Sequence, residues 1–198
     1  MKQINIRRNG GNVTFETVSI DVTENVFFTN LDAQEAHWPT LSSNQLGAAP
    51  SPNSSQCIVP TPSDLNPPNN QVSYGCQIAG HGNEKGVINV FAQLAAVDDT
   101  SLADATKGQP ITRQQVVVGG MSPYAISGQL FQVADANGNV IQSGSGIGPN
   151  LQLNATTDSS GIWVTGTPTL SGTYNFTFTV NDAMGKNLQQ VQYSMKVA

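Results

Sequence analysis

Basic charge is scarce in this 198-residue chain: 8 Lys and Arg stand against 13 Asp and Glu, a formal net charge of −5. No basic run exists to neutralise phosphates, which argues against nucleic acid as a partner. Apolar runs long enough for a membrane-spanning helix, roughly 18–20 residues, are absent too. Helical periodicity is nearly missing, so a helical fold is not expected. Close-spaced cysteine pairs, the usual mark of a structural zinc site, are lacking, because there are two cysteines in all. Met1 leads straight into strand-like sequence with no signal peptide. Yet the chain is rich in Gly, Thr, Ser, Asn and Pro and poor in Lys and Glu, as exported proteins are. The expectation is an extracytoplasmic protein (periplasmic, cell-surface or secreted) whose leader is absent from this chain.

What is present is alternation with period two. QINIRR, VTFETVSIDV, NVFFTNL, GVINVFAQL, QQVVVG, LFQVAD, IWVTGT, YNFTFTV and VQYSMKV all read as strands. Asn137-Gly138 marks a hairpin tip within 135–139. The fold class is therefore all-β, with β-sandwiches as the architecture. Residues 1–100 hold nine acids and four bases, both histidines and both cysteines, whereas 101–198 hold four acids and four bases. Two halves of such different character imply two domains, drawn as 1–99 and 110–198 with a linker at 100–109. One short helical turn is expected at 101–105. Residues 39–70 carry seven of the eleven prolines and read as a long irregular loop.

The sulfur and imidazole residues sit at suggestive places. His37 lies just past an apolar strand and an Asn-Leu-Asp turn. Cys76 and His81 flank a short turn, and the strand GVINVF follows. If these two loops meet at one end of a sandwich, two imidazoles and one thiolate converge. That is the trigonal set of a blue-copper electron-transfer site, which takes a weaker axial fourth ligand.

Two stretches carry a resemblance. VSIDVTENVFFTNLDAQEAHW resembles the cupredoxin pattern in which a strand ends in Phe-x-Asn-x-Asp (Phe28, Asn30, Asp32) and a ligand histidine, here His37, follows. YGCQIAGHGNEKGVINV resembles the cupredoxin ligand loop: an aromatic, Cys76, a spacer, His81, then Lys85-Gly86 and a closing strand. The likeness covers about residues 1–97. It implies a Greek-key sandwich holding one copper ion on His37, Cys76 and His81. The axial place departs from the pattern, because Gly82, Asn83, Glu84 and Lys85 follow His81 where Met, or sometimes Gln, is usual. Alignment on the Lys-Gly pair puts Glu84 there; counting from His81 puts Lys85 there, chemically unsuitable while protonated. A backbone carbonyl such as that of Ala36 is a further option, and Glu84 is preferred. A carboxylate would favour Cu(II) and lower the reduction potential. Trp38 and Tyr74 would shield the metal or simply pack. Asn30 would restrain a ligand from the second layer. Leu41, Ile78 and Ala79 would form a rim for docking or belong to the core.

In the second half, SSGIWVTGTPTLSGTYNFTFTVNDAMGKN resembles the signature of bacterial Ig-like domains. Tyr174, Phe176, Phe178 and Val180 should alternate onto a buried face. Asp182 reads as an Asx-turn residue rather than a calcium ligand. SGSGIG at 143–148 lacks the helix a phosphate loop needs and reads as a turn. Such modules space or present other domains.

The expectation for the whole chain is a cupredoxin-like copper domain followed by an Ig-like spacer, passing single electrons to an unidentified redox partner protein. It is not expected to be an enzyme: no Ser-His-Asp triad is evident, and multicopper oxidase chemistry would need many more histidines. Two alternatives stay open. One is copper binding or handling without electron transfer. The other is a metal-free structural or adhesion protein with a Cys57–Cys76 disulfide. Zinc is a competing occupant of the same donors.

Overall fold

The computed structural model of the protein describes residues 2–41, 55–58 and 71–198. Every regular element among them is a strand: β1 (Lys2–Asn9), β2 (Asn12–Phe15), β3 (Val18–Asp21), β4 (Val26–Asn30), β5 (Pro39–Leu41), β6 (Ser55–Ile58), β7 (Gln71–Cys76), β8 (Lys85–Phe91), β9 (Ala95–Ala96), β10 (Gln114–Val118), β11 (Ala125–Ala134), β12 (Val140–Ser145), β13 (Leu151–Ala155), β14 (Gly161–Gly166), β15 (Gly172–Asn181) and β16 (Asn187–Val197). The chain divides into two compact units, Met1–Phe91 and Ala92–Ala198.

Two four-stranded sheets make the first unit, in the orders β2-β1-β4-β6 and β3-β8-β7-β5. Both mix parallel and antiparallel pairs: β1 runs parallel to β4, and β3 parallel to β8. Alternate residues of each sheet turn inward. Ile4, Ile6, Phe28 and Val26 from one sheet meet Ile20, Val72, Tyr74 and Ile88 from the other in a single core. The stretch VTFETVSIDV, read as one strand, is two. β2 belongs to one sheet and β3 to the other, and the chain crosses between them at Glu16 and Thr17. Phe15 and Val18 are buried on either side of the crossing. Glu16 fixes it, since its carboxylate accepts hydrogen bonds from the Asn5 backbone N–H and side-chain amide at 3.1 and 2.9 Å.

The loop expected at 39–70 contains two strands. β5 and β6 are the edge strands of their sheets, three and four residues long. Strands so short give no alternation to read, and Pro39 stands at the first position of β5, where a missing N–H is tolerated. The remainder of that loop lies outside the described residues.

The second unit is also a sandwich, with sheets β13-β14-β10-β9 and β12-β11-β15-β16. Tyr174, Phe176, Phe178 and Val180 alternate inward from β15 as the sequence implied, and each is essentially inaccessible. Residues 100–109, expected as a linker with a helical turn, instead run along β16. Ser101 and Ala105 form isolated bridges to Ser194 and Val197, and the Leu102, Ala105 and Lys107 N–H groups bond to Ser194, Lys196 and Ala198 carbonyls. Leu102 sinks into the core, which accounts for the docking. The segment 143–148 is half strand: β12 runs to Ser145 before the chain turns. Asp182 is an Asx-turn residue, its Oδ1 accepting from the Met184 and Lys186 N–H groups at 2.9 and 2.8 Å.

Candidate metal centre

Two loops of the first unit build the centre. One joins β4 to β5 and carries His37. Its shape is set by Asn30, fully buried at the end of β4. Asn30 Oδ1 accepts from the Asp32 N–H at 2.9 Å and its amide donates to the Glu35 carbonyl at 2.8 Å. Asn30 thus restrains the ligand loop rather than a ligand. Asp32 adds an Asx turn, accepting from the Gln34 N–H at 2.9 Å.

The other loop joins β7 to β8. Cys76 ends β7, and its N–H bonds to the Glu84 carbonyl at 3.0 Å, closing the loop at its base. Inside it, the His81 N–H bonds to the Ile78 carbonyl and the Glu84 N–H to the His81 carbonyl. This tight turn points His81 and Glu84 the same way. The loops are stitched together at Trp38: its N–H donates to Cys76 Sγ at 3.3 Å, and its carbonyl accepts from the Gln77 N–H at 3.0 Å.

His37, Cys76, His81 and Glu84 come together as the sequence anticipated, with one donor atom from each within 4.8 Å of all the others. Glu84 Oε2 lies 2.8 Å from His37 Nδ1 and 3.0 Å from His81 Nδ1, and Cys76 Sγ lies 3.6 Å from His81 Nδ1. His37 is fully buried; His81 and Glu84 reach solvent slightly. Metal bonds of about 2.0–2.3 Å separate tetrahedral donors by about 3.3–3.8 Å. The 3.6 Å between Cys76 Sγ and His81 Nδ1 falls in that range, whereas the two Glu84 contacts are shorter, at hydrogen-bond distance, so forming the cage takes a small outward swing of the Glu84 side chain. A thiol, two imidazoles and a carboxylate suit a first-row transition metal such as copper or zinc. Cys76 is a free thiol; the side chain of Cys57 lies outside the described residues. Burial pushes the Cys76 thiol up, with hydrogen bonds from the Trp38 and Ile78 backbone opposing it.

Three further residues surround the centre that sequence reasoning did not assign. Asp32 Oδ2 lies 2.8 Å from His37 Nε2, the ring nitrogen turned away from the donor cluster. Arg8 Nε donates to the same oxygen at 2.9 Å. Arg8 Nη2 also reaches Glu35 Oε2 at 2.6 Å, and Glu35 Oε2 stands 3.7 Å from His81 Nε2. The Arg8 guanidinium holds the Asp32 carboxyl far below the usual carboxylate range, against the opposing effect of burial. One signal for Arg8 was available. Ile4 and Ile6 point inward, so Arg8 follows on the same face of β1. The parallel register pairs Ile6 with Asn30, and the same offset of 24 (30 − 6) brings Arg8 level with Asp32 (8 + 24). Parallel pairing of β1 and β4 is not visible in the sequence.

The other expected contributors pack. Tyr74 is buried, stacks on Phe15 at 5.6 Å and donates its hydroxyl to the Glu16 carbonyl at 2.6 Å. Trp38 and Ile78 pack against the core, whereas Ala79 is exposed. The Leu41 side chain lies outside the described residues.

No protein-family model matches the chain and no curated protein matches it. Similar solved structures include CopC from Methylosinus trichosporium OB3b, at 16% identity and a TM-score of 0.26, covering 54% of this chain and 90% of that one. Titin-A168169 is 10% identical with a TM-score of 0.41, covering 100% and 96%. DIP-gamma IG1+IG2 is 11% identical with a TM-score of 0.40, covering 100% and 95%. At these overlaps the likenesses assign the chain to no family.

Proposed function

We propose that the first unit is a mononuclear copper domain of the cupredoxin kind, that it carries single electrons to a partner protein, and that the second unit is an Ig-like spacer. The observation that supports this most is the convergence of four unlike donors, His37, Cys76, His81 and Glu84, within 4.8 Å of one another. Copper in this setting supplies a one-electron couple. Thiolate and imidazole hold both of its oxidation states, and Cu(II) binds such N/S/O donors more tightly than Zn(II) does. The chain's own part is to keep the donors in place. The Asn30 clamp, the closed β7–β8 loop and the Trp38 stitches fix both loops from the backbone, so little rearrangement need accompany a change of charge.

The role suited to this site is that of a carrier rather than an enzyme: both histidines of the chain stand in one donor cluster, and multicopper oxidase chemistry would need many more. An extracytoplasmic location suits the composition. A partner would approach where Ala79, Gly80 and Gly82 lie exposed beside His81.

Titration of the reduced protein with Cu(II) under argon tests the reading. One equivalent should develop a thiolate charge-transfer band in the visible, and Cys76→Ser should abolish it. No band in the wild type would overturn it. One feature favours copper handling without electron transfer: the fourth donor is a carboxylate, which stabilises Cu(II). Voltammetry separates the two, since fast reversible cycling supports transfer and sluggish, irreversible response supports handling.

A further inference from the structure

Both candidate histidine ligands turn Nδ1 towards the donor cluster and Nε2 away from it. Each outward nitrogen faces a carboxylate: His37 Nε2 meets Asp32 Oδ2 at 2.8 Å, and His81 Nε2 meets Glu35 Oε2 at 3.7 Å. The two carboxylates share one cation, for Arg8 Nη2 lies 2.8 Å from Asp32 Oδ2 and 2.6 Å from Glu35 Oε2. We propose that Arg8, Asp32 and Glu35 form a single outer clamp in which Asp32 fixes the proton of His37 on Nε2, Glu35 draws that of His81 to the same side by charge, and both Nδ1 lone pairs are presented to the metal. The inference rests on the metal-site reading above and names the residues that position its ligands.

The reasoning is one of donors and acceptors. An ionised carboxylate can only accept, so Asp32, at 2.8 Å, calls for the hydrogen of His37 on Nε2. Glu84 Oε2, 2.8 and 3.0 Å from the two Nδ1 atoms, makes the same demand of the inner nitrogens and yields it when a metal takes their lone pairs. A neutral imidazole has one N–H, and with that hydrogen on Nε2 the bare lone pair is at Nδ1. Hydrogen bonding from the ring to a carboxylate also fixes the ring plane and makes the ligating nitrogen more basic. A guanidinium suits the outer position because its planar fork serves two carboxylates at once and never loses its charge. Its place is built into the fold: Arg8 extends the inward row of Ile4 and Ile6 on β1, while Asp32 and Glu35 lie on the loop that Asn30 clamps. The clamp is graded. Asp32 is inaccessible and at full hydrogen-bond distance from its imidazole, whereas Glu35 is half exposed and farther from His81. Asp32 should therefore matter more.

The test uses full-length protein and the variants Asp32→Asn, Glu35→Gln and Arg8→Gln. Metal affinity is read by chelator competition with Cu(I) and Zn(II), and the histidine protons by 15N-edited NMR of the Zn(II)-loaded and metal-free forms. Asp32→Asn should weaken metal binding by about 10- to 100-fold, Glu35→Gln by less, with Arg8→Gln between them. The wild type should show a slowly exchanging, downfield His37 Nε2–H that Asp32→Asn shifts upfield. A His37 ring with its hydrogen on Nδ1 and a bare Nε2 would overturn the proposal. So would an Asp32→Asn protein with lowered thermal stability but unchanged affinity and NMR signature, which is what a purely structural ion pair predicts. If the wild type binds no metal, the function proposed above fails, and the metal-free His37 signal still decides whether the clamp exists.

Discussion

Glu84 Oε2 stands within hydrogen-bond distance of two imidazole nitrogens and would be the fourth donor of the proposed copper site. A hard anionic oxygen favours Cu(II), so Glu84→Gln should raise the reduction potential. A tenfold loss of Cu(II) preference corresponds to about 60 mV for one electron, and a potential unmoved by the substitution would remove Glu84 from the copper. Cys76 predicts a pH dependence. Burial raises its thiol, so the metal-free protein holds that proton at neutral pH and metal must displace it. Apparent copper affinity should climb with pH by about tenfold per unit from this proton alone, until the thiol ionises unaided. Asp32 acts in the opposite sense on stability. Its carboxyl is lower in the folded protein than the ordinary value near 4. Its contribution is complete above about pH 5 and drains away as the pH falls towards the folded value. Acid unfolding of the first unit should therefore lose part of its slope below about pH 4 in Asp32→Asn.

Strands decide how much of this was legible in advance. Long alternating runs such as β15 are plain, because the buried positions 174, 176, 178 and 180 are all large and apolar. β5 and β6 are not, being three- and four-residue edges set in proline-rich sequence. The inner site was readable because its donors are rare residue types in short loops. The outer clamp was not: Arg8 lies 24 residues from Asp32, and parallel pairing of β1 with β4 brings them together. One element-scale prediction concerns β7 and β8. A methyl group at Gly86 would overlap the Tyr74 ring, two residues from Cys76 on the same strand. Gly86→Ala should cost about 1–3 kcal/mol in denaturant unfolding. In a double mutant with Tyr74→Ala the losses should be less than additive, because the clash is gone. Full additivity would mean that the two residues do not press on each other.

Each unit of the molecule has its own core of two facing sheets, and the four candidate donors, His37, Cys76, His81 and Glu84, belong to the first. Calorimetry should then show two transitions. Metal that binds only the folded state raises the stability of its own unit, by about 2.7 kcal/mol at a hundredfold excess over Kd. The transition of Met1–Phe91 should move upward with copper and that of Ala92–Ala198 should stay. Equal movement of both would mean that the units unfold as one. The central claim, that His37, Cys76, His81 and Glu84 jointly hold one copper ion, is tested most directly by copper K-edge X-ray absorption on the stoichiometrically loaded protein. The expected result is one sulfur neighbour together with two imidazole nitrogens and one oxygen, the sulfur vanishing in Cys76→Ser and the oxygen in Glu84→Ala. A shell of nitrogen and oxygen alone in the wild type would contradict it.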